Sequence, residues 1–240
     1  MFNHQPQSLL QGLYPNTPAC RWNIDSDHNF NSTQDYINRL FEKYSRLLAI
    51  RLDLYFKADS QGQYDAEYAR NCFTRFLNNQ RCNTLFSNRV GYLWCMGFGQ
   101  DRGFHYHVIF FFNGADSQQD VTIGHAIGRY WMGNITDGTG QYQCSNDDKD
   151  QLAAQGFPVG IGMISRNDMQ KRNNLLYVAS YLVKIDPLRQ QALPESMKRF
   201  RTFGRGEMRG GSSSRREIPT SPLRQREGYN VMGIRCVTTG

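Results

Sequence analysis

The chain is 240 residues long and 39% hydrophobic, enough for one domain with an appendage or for two small ones, and its longest apolar runs, such as 107–112, are far too short to span a bilayer. The net charge of +7 sits entirely in the last quarter: residues 184–240 carry 12 Lys and Arg against 5 Asp and Glu, and residues 1–183 carry 16 of each. A localised basic excess is the electrostatic footprint of a polyanion partner, although a solvated tail has the same composition.

The opening residues Met1-Phe-Asn-His-Gln-Pro lack a basic stretch followed by a long apolar one, so no signal peptide is expected. The protein is read as cytoplasmic, with no membrane partner. Cysteines stand at 20, 72, 82, 95, 144 and 236, and no two form a C-x-x-C pair, which argues against a zinc knuckle or a redox motif. They are read as reduced, mostly buried thiols.

Residues 1–31 show no period and are read as an irregular lead-in. Ser32 or Thr33 is the expected N-cap of a first helix, with Ile37, Leu40, Phe41, Tyr44, Leu47 and Leu48 at helical spacing. Ile50, Leu52, Leu54 and Phe56 alternate with Arg51, Asp53, Tyr55 and Lys57, the period of a strand. A turn at 59–63 leads to a second helix carrying Tyr64, Tyr68, Phe73, Phe76 and Leu77. Segments 90–98 and 104–112 read as a hairpin around Gly99-Gln-Asp-Arg-Gly103. A helix is expected over 121–132, a loop over the Gly-, Asp- and Gln-rich 136–155, a short strand within 159–165 and a helix over 173–184, ended by Asp186-Pro187.

After the first helix the order is β-α-β-β-α-β-α. It predicts an α+β fold of the ferredoxin-like split βαβ kind: a four- to five-stranded antiparallel sheet, two helices on one face and the 173–184 helix over the other. Residues 205–240 are basic, and 205–228 are Gly/Ser/Arg-rich, the composition of a flexible tail. The division expected is 1–31 lead-in, 32–204 functional domain, 205–240 tail.

Two local patterns carry chemistry. His105-Tyr106-His107 lies in the strand after the turn, and side chains two apart on a strand share a face. The two imidazoles therefore stand side by side, as ligands of one metal ion must, or as hydrogen-bonded residues of the sheet. Tyr177 and Tyr181 lie four apart on one helical face, with Lys184 near the same side. A phenol, with a pKa of about 10, is a poor nucleophile at neutral pH, and a cation one turn away helps by stabilising phenolate and phosphate charge. Such a pair is also an ordinary packed face. Arg199, Arg201 and Arg205 are candidate phosphate contacts.

Taken together, His105-Tyr106-His107 and Tyr177, Tyr181 and Lys184 resemble the His-hydrophobic-His and Y-x-x-x-Y-x-x-K motifs of the HUH endonuclease superfamily. Segments 45–54, 103–114 and 201–206 are similar to those of filamentous-phage and prophage replication proteins in it, and the resemblance covers roughly 45–206. It implies that 32–204 is a nuclease domain that initiates rolling-circle replication of a phage, prophage or plasmid. His105 and His107 would hold Mg²⁺ or Mn²⁺, and Tyr177 or Tyr181 would attack single-stranded DNA at a replication origin, leaving a 5′-phosphotyrosine. A third metal ligand is expected from a neighbouring strand. Met96 occupies the position nine before His105 where related sequences would carry Glu, and a thioether suits neither ion. Gln100, Asp101 and Asp53 are the alternatives nearby, and of these Asp53 and Gln100 are the candidates chosen. The chain lacks G-x-x-x-x-G-K-[ST], so a helicase would be a host partner. The rival readings are an HUH transposase or relaxase, and a non-catalytic or degenerate nucleic-acid-binding protein.

Overall fold

The computed structural model describes residues 27–57, 64–183 and 186–207. Helix α1 (Asp27–Lys43) buries Phe30, Ile37, Leu40 and Phe41. It begins five residues ahead of the expected N-cap, and Thr33 instead bonds back to the Asn29 carbonyl from inside the helix. It also ends sooner than its apolar spacing implies. Leu47 and Leu48 belong to strand β1 (Arg46–Phe56), where they point to opposite faces of the sheet.

Helix α2 (Ala66–Asn79) is capped by Asp65, whose side chain accepts from the Tyr68 N–H. Strands β2 (Arg89–Gly99) and β3 (Gly103–Asn113) form the expected hairpin, closed by Gly103 at a left-handed φ of 60°. Helix α3 (Asp120–Tyr130) runs into a π turn at Trp131–Ile135. The segment expected to be a loop contains strand β4 (Gly140–Cys144) and the short helix α4 (Lys149–Ala154). Strand β5 (Gly162–Ser165) follows, then α5 (Met169–Ser180), which continues as a 3-10 turn at Tyr181–Val183. Helix α6 (Pro187–Ala192), capped by Asp186, leads to strand β6 (Phe203–Arg205).

The sheet is antiparallel in the order β4-β1-β3-β2-β6, with β5 also paired to β1. The run β4-β1-β3-β2 is the split βαβ arrangement. The sheet has six strands rather than four or five, because the edge position beside β1 is shared by two short strands and β6 extends the other edge. One face packs on α2 and α3 through Leu48, Leu52, Phe76, Val108, Phe110 and Trp131. The other packs on α1 and α5 through Ile37, Leu40, Ala49, Ile109, Leu175 and Ala179. The helix carrying the tyrosines therefore lies over the face opposite α2 and α3. Arg205, assigned by composition to the tail, is in β6. No helix among the described residues is long and apolar enough to cross a membrane.

Both edges that flank the site are closed by side chains. β4 pairs β1 from Leu52 to Phe56 and β5 pairs it from Arg46 to Ala49, leaving a gap between them. The fully buried Asn146 fills this gap as a surrogate peptide: its Oδ1 accepts from the Arg51 N–H (2.9 Å) and its Nδ2 donates to the Ala49 carbonyl (3.0 Å). On β2, beyond β6, the Met96 N–H donates to the Thr202 carbonyl (2.7 Å) and the Met96 carbonyl accepts from Arg189 (2.8 Å). The Phe98 N–H donates to Asp186 (3.0 Å). The chain leaving the tyrosines is thus tied to β2 alongside the histidines, since Gly97 pairs with His105.

Candidate metal and tyrosine site

His105 and His107 emerge on the α1/α5 face of β3, and their ring nitrogens fix one another's chemistry. The His105 Nδ1 lies 3.0 Å from the Gly103 carbonyl, which only accepts, so Nδ1 carries the proton. The His107 Nδ1 lies 2.7 Å from Asp53 Oδ1, a carboxylate, so it too carries its proton. In the neutral rings both Nε2 atoms then present lone pairs, and they face each other at 3.2 Å. Two lone pairs at that distance repel unless a proton or a cation lies between them.

The pair fits a divalent cation. With metal–nitrogen bonds of about 2.1 Å, neighbouring ligands stand about 3.0 Å apart on an octahedral ion and about 3.4 Å apart on a tetrahedral one, so 3.2 Å suits either. Burial, with the charge of His107 next, holds the His105 pKa below the ordinary imidazole value, which favours the neutral form that a metal needs. Burial alone would raise the Asp53 carboxyl. The hydrogen bond and charge of His107, with Arg51 and His105, outweigh it and keep the carboxyl below its usual range. Among the described residues no group of three or more His, Cys, Asp and Glu is set to hold a metal ion.

The third-ligand candidates fall out differently. Asp53 sits behind His107 on the Nδ1 side, where it orients the ring. Gln100 is exposed in the β2–β3 turn. Position 96 faces away: Met96 pairs with Tyr106 and is buried in the core of the opposite face. A ligand there would need to pass through the sheet, so the missing glutamate at 96 says nothing against the site. The β2 residues opposite the histidines are Cys95 and Gly97. Along the same row, Gln143 of β4 is paired with Asp53 and is exposed.

Gly97 makes room for the pair. A Cβ there would stand 2.6 Å from His105 Nε2, so the imidazole lies against the bare backbone of β2.

The tyrosines share the face. Tyr177 ends inside α5, buried with Phe30 and Val183, whereas Tyr181 opens the 3-10 turn and is half-buried. Their hydroxyls lie 3.4 Å apart and their rings meet edge to face at 82°. Lys184 lies outside the described residues. Among the described residues Arg51 places a cation against Tyr181, with its guanidinium 5.7 Å from the ring centroid and 3.8 Å from Asp53. A line of contacts therefore runs Tyr177, Tyr181, Arg51, Asp53, His107, His105. In the sequence Arg51 was one polar residue of an alternating strand, and only its pairing beside the histidine strand shows its place.

The three distal arginines separate. Arg199 and Arg201 are exposed, with the Arg201 Nε–H donating to the Phe203 carbonyl (2.7 Å). Arg205 is half-buried and donates to the Ser32 carbonyl (2.7 Å). His125 bonds Tyr142 Oη (2.9 Å) and Asp147 (3.0 Å) near the β4 edge, and Tyr106 stacks on Phe73 in the opposite core, so both are structural.

No curated protein and no solved structure matches this chain. A protein-family profile does, over residues 23–206, which is most of the sequence and nearly all of what the structure describes. The chain therefore belongs to the YagK/YfjJ C-terminal domain family.

Proposed function

We propose that this protein is a metal-dependent DNA-nicking and -joining enzyme of the HUH kind, acting on single-stranded DNA at a replication origin to start rolling-circle replication. The observation that carries the reading is the pair of converging Nε2 lone pairs at 3.2 Å, joined through Asp53 and Arg51 to Tyr181. Two imidazoles with open positions around them suit a catalytic rather than a structural ion. When bound, Mg²⁺ or Mn²⁺ would withdraw electron density from a phosphate.

The chain's own groups supply the rest. Tyr181 attacks first, because it is the more exposed tyrosine and the one beside Arg51, whose charge stabilises the phenolate. Its Oη forms a bond to phosphorus as the bond to the 3′-oxygen breaks. The phenolic proton goes to solvent and the 3′-oxygen takes one up, leaving a 5′-phosphotyrosine and a free 3′-hydroxyl. The linkage conserves the phosphodiester energy, so rejoining needs no nucleotide cofactor. Tyr177, with its hydroxyl 3.4 Å away, serves the second cleavage.

The test is cleavage of circular single-stranded DNA from the protein's own replicon with Mn²⁺. Open strands that disappear with EDTA and with His107→Ala support the reading. Cleavage indifferent to both rejects it.

A further inference from the structure

Beyond the tyrosines, the fold leaves a cleft of about 420 Å³ between the first turns of α1, the segment after Tyr181 and the run into β6. Arg189, Arg201 and Arg205 line it, and no Asp or Glu is among its described lining residues. Arg201 and Arg205 at the mouth, with the buried Arg189 behind them beside its capping Asp186, give a positive concavity, the kind that concentrates an anion. The Arg201 and Arg205 forks are held in place rather than consumed. Arg201 spends its Nε–H on the Phe203 carbonyl and Arg205 one Nη–H on the Ser32 carbonyl, out of five donors each. Arg189 is anchored to the Met96 carbonyl. Arg205 is braced by the Tyr36 ring at 5.5 Å.

The cleft shares a wall with the tyrosine site. Val183 lines it and packs with Tyr177 and Phe30, and Phe203 lines it and packs on the same group. We infer that this cleft holds the phosphodiester backbone of a single DNA strand next to the scissile position, with Arg201 and Arg205 as the phosphate-contacting residues. The inference rests on the nicking reading for the identity of the strand, not for the existence of the site. A continuous strand suits the place better than an isolated anion, because the cleft is open, Arg201 and Arg205 stand four residues apart along one of its walls, and the exposed Phe200 ring, with Arg70 over it at 4.0 Å, lies beside them as a surface for an unstacked base. It also divides arginines that look equivalent in the sequence: Arg199 does not line the cleft.

The test uses the full chain, EDTA to suppress cleavage, and a short fluorescein-labelled oligothymidylate read by anisotropy across a salt series. Arg201→Ala and Arg205→Ala should each weaken binding several-fold, and the double variant should lower the log–log salt slope by about 1.4, about 0.7 per lost contact to a single strand. Arg199→Ala should leave the slope unchanged. Because Arg205 also ties β6 to α1, Arg201→Glu provides a variant without that anchor, and it should abolish most of the Arg201-dependent affinity. An unchanged slope in the Arg201 variants, or an equal loss in Arg199→Ala, overturns the proposal. Tighter binding of oligouridylate overturns the DNA assignment, and full competition by inorganic phosphate overturns the strand in favour of an isolated anion site. Arginine-dependent binding without any cleavage would leave this site standing and reject the nicking reading, whereas cleavage without arginine dependence would do the reverse.

Discussion

The chemistry of His105 and His107 is set by what stands behind each ring. The Gly103 carbonyl and the Asp53 carboxylate accept hydrogen bonds from the two protonated Nδ1 atoms, so both Nε2 atoms turn unprotonated toward the same point. Asp53→Asn keeps an acceptor but loses the charge, and should weaken Mn²⁺ binding about 10–100-fold by calorimetry; it also takes the carboxylate away from Arg51, so the thermal transition should fall as well. Gly97→Ala puts a methyl 2.6 Å from where the His105 Nε2 lies, so the ring must swing away. Its Mn²⁺ affinity should fall by a comparable factor, and unaltered affinity would show that the ring position does not matter. The histidine pair was legible in the sequence because strand period alone puts alternate residues on one face. Gly97 and Arg51 were not, because their importance comes from cross-strand register, which no local spacing encodes. The same register turns position 96 to the opposite face: counting back along the chain gives a distance but not a face.

At the level of elements, the site depends on β1 being held straight where its neighbours change. Asn146→Ala removes two hydrogen bonds to the β1 backbone and strands a buried N–H and a buried carbonyl. At about 1–2 kcal/mol for each group, the loss should be about 2–4 kcal/mol in urea unfolding. Asn146 is itself held by Asp120 (2.8 Å), which also takes two bonds from Lys149, at 2.9 and 2.7 Å. Burial pushes the Asp120 carboxyl up, but the bonds from Lys149 and Asn146 outweigh it, and the folded pKa lies below the ordinary value. A carboxyl depressed on folding adds stability that is full above its unfolded pKa of about 3.9 and is lost as pH falls below that through the folded value. Asp120→Asn should therefore cost about 1–2 kcal/mol at neutral pH, with Lys149 partly exposed to solvent, and the gap to wild type should close as the pH drops through that window. A gap that stays constant with pH would show that the ion pair contributes nothing. The long elements were readable from period. β4 was not: Gly-Gln-Tyr-Gln-Cys has a loop's composition and becomes a strand only by pairing with β1. β6 is three residues long and is likewise made by its partner. The helix boundary at Lys43 was obscured because Leu47 and Leu48 continue the helical spacing into a strand buried on both faces.

For the molecule as a whole, the split βαβ order sends the histidine strand to the middle of the sheet and leaves one face for the tyrosine helix. The β-α-β-β-α-β order already contained that face assignment, and it is why two motifs 70 residues apart in the chain share one surface. The segment 186–205 then closes the β2 edge and returns arginines to the same side. The proposed nicking activity requires this face to transfer a DNA strand to tyrosine. The most direct measurement is a denaturing gel of the full chain incubated with Mn²⁺ and circular single-stranded DNA from its replicon, beside Tyr177→Phe, Tyr181→Phe and the double variant. The expected result is a metal-dependent protein–DNA adduct that drops by about 10²-fold or more in Tyr181→Phe, falls less in Tyr177→Phe and vanishes in the double variant. An adduct that survives the double variant, or none from the wild-type protein on DNA that contains the origin, would contradict it.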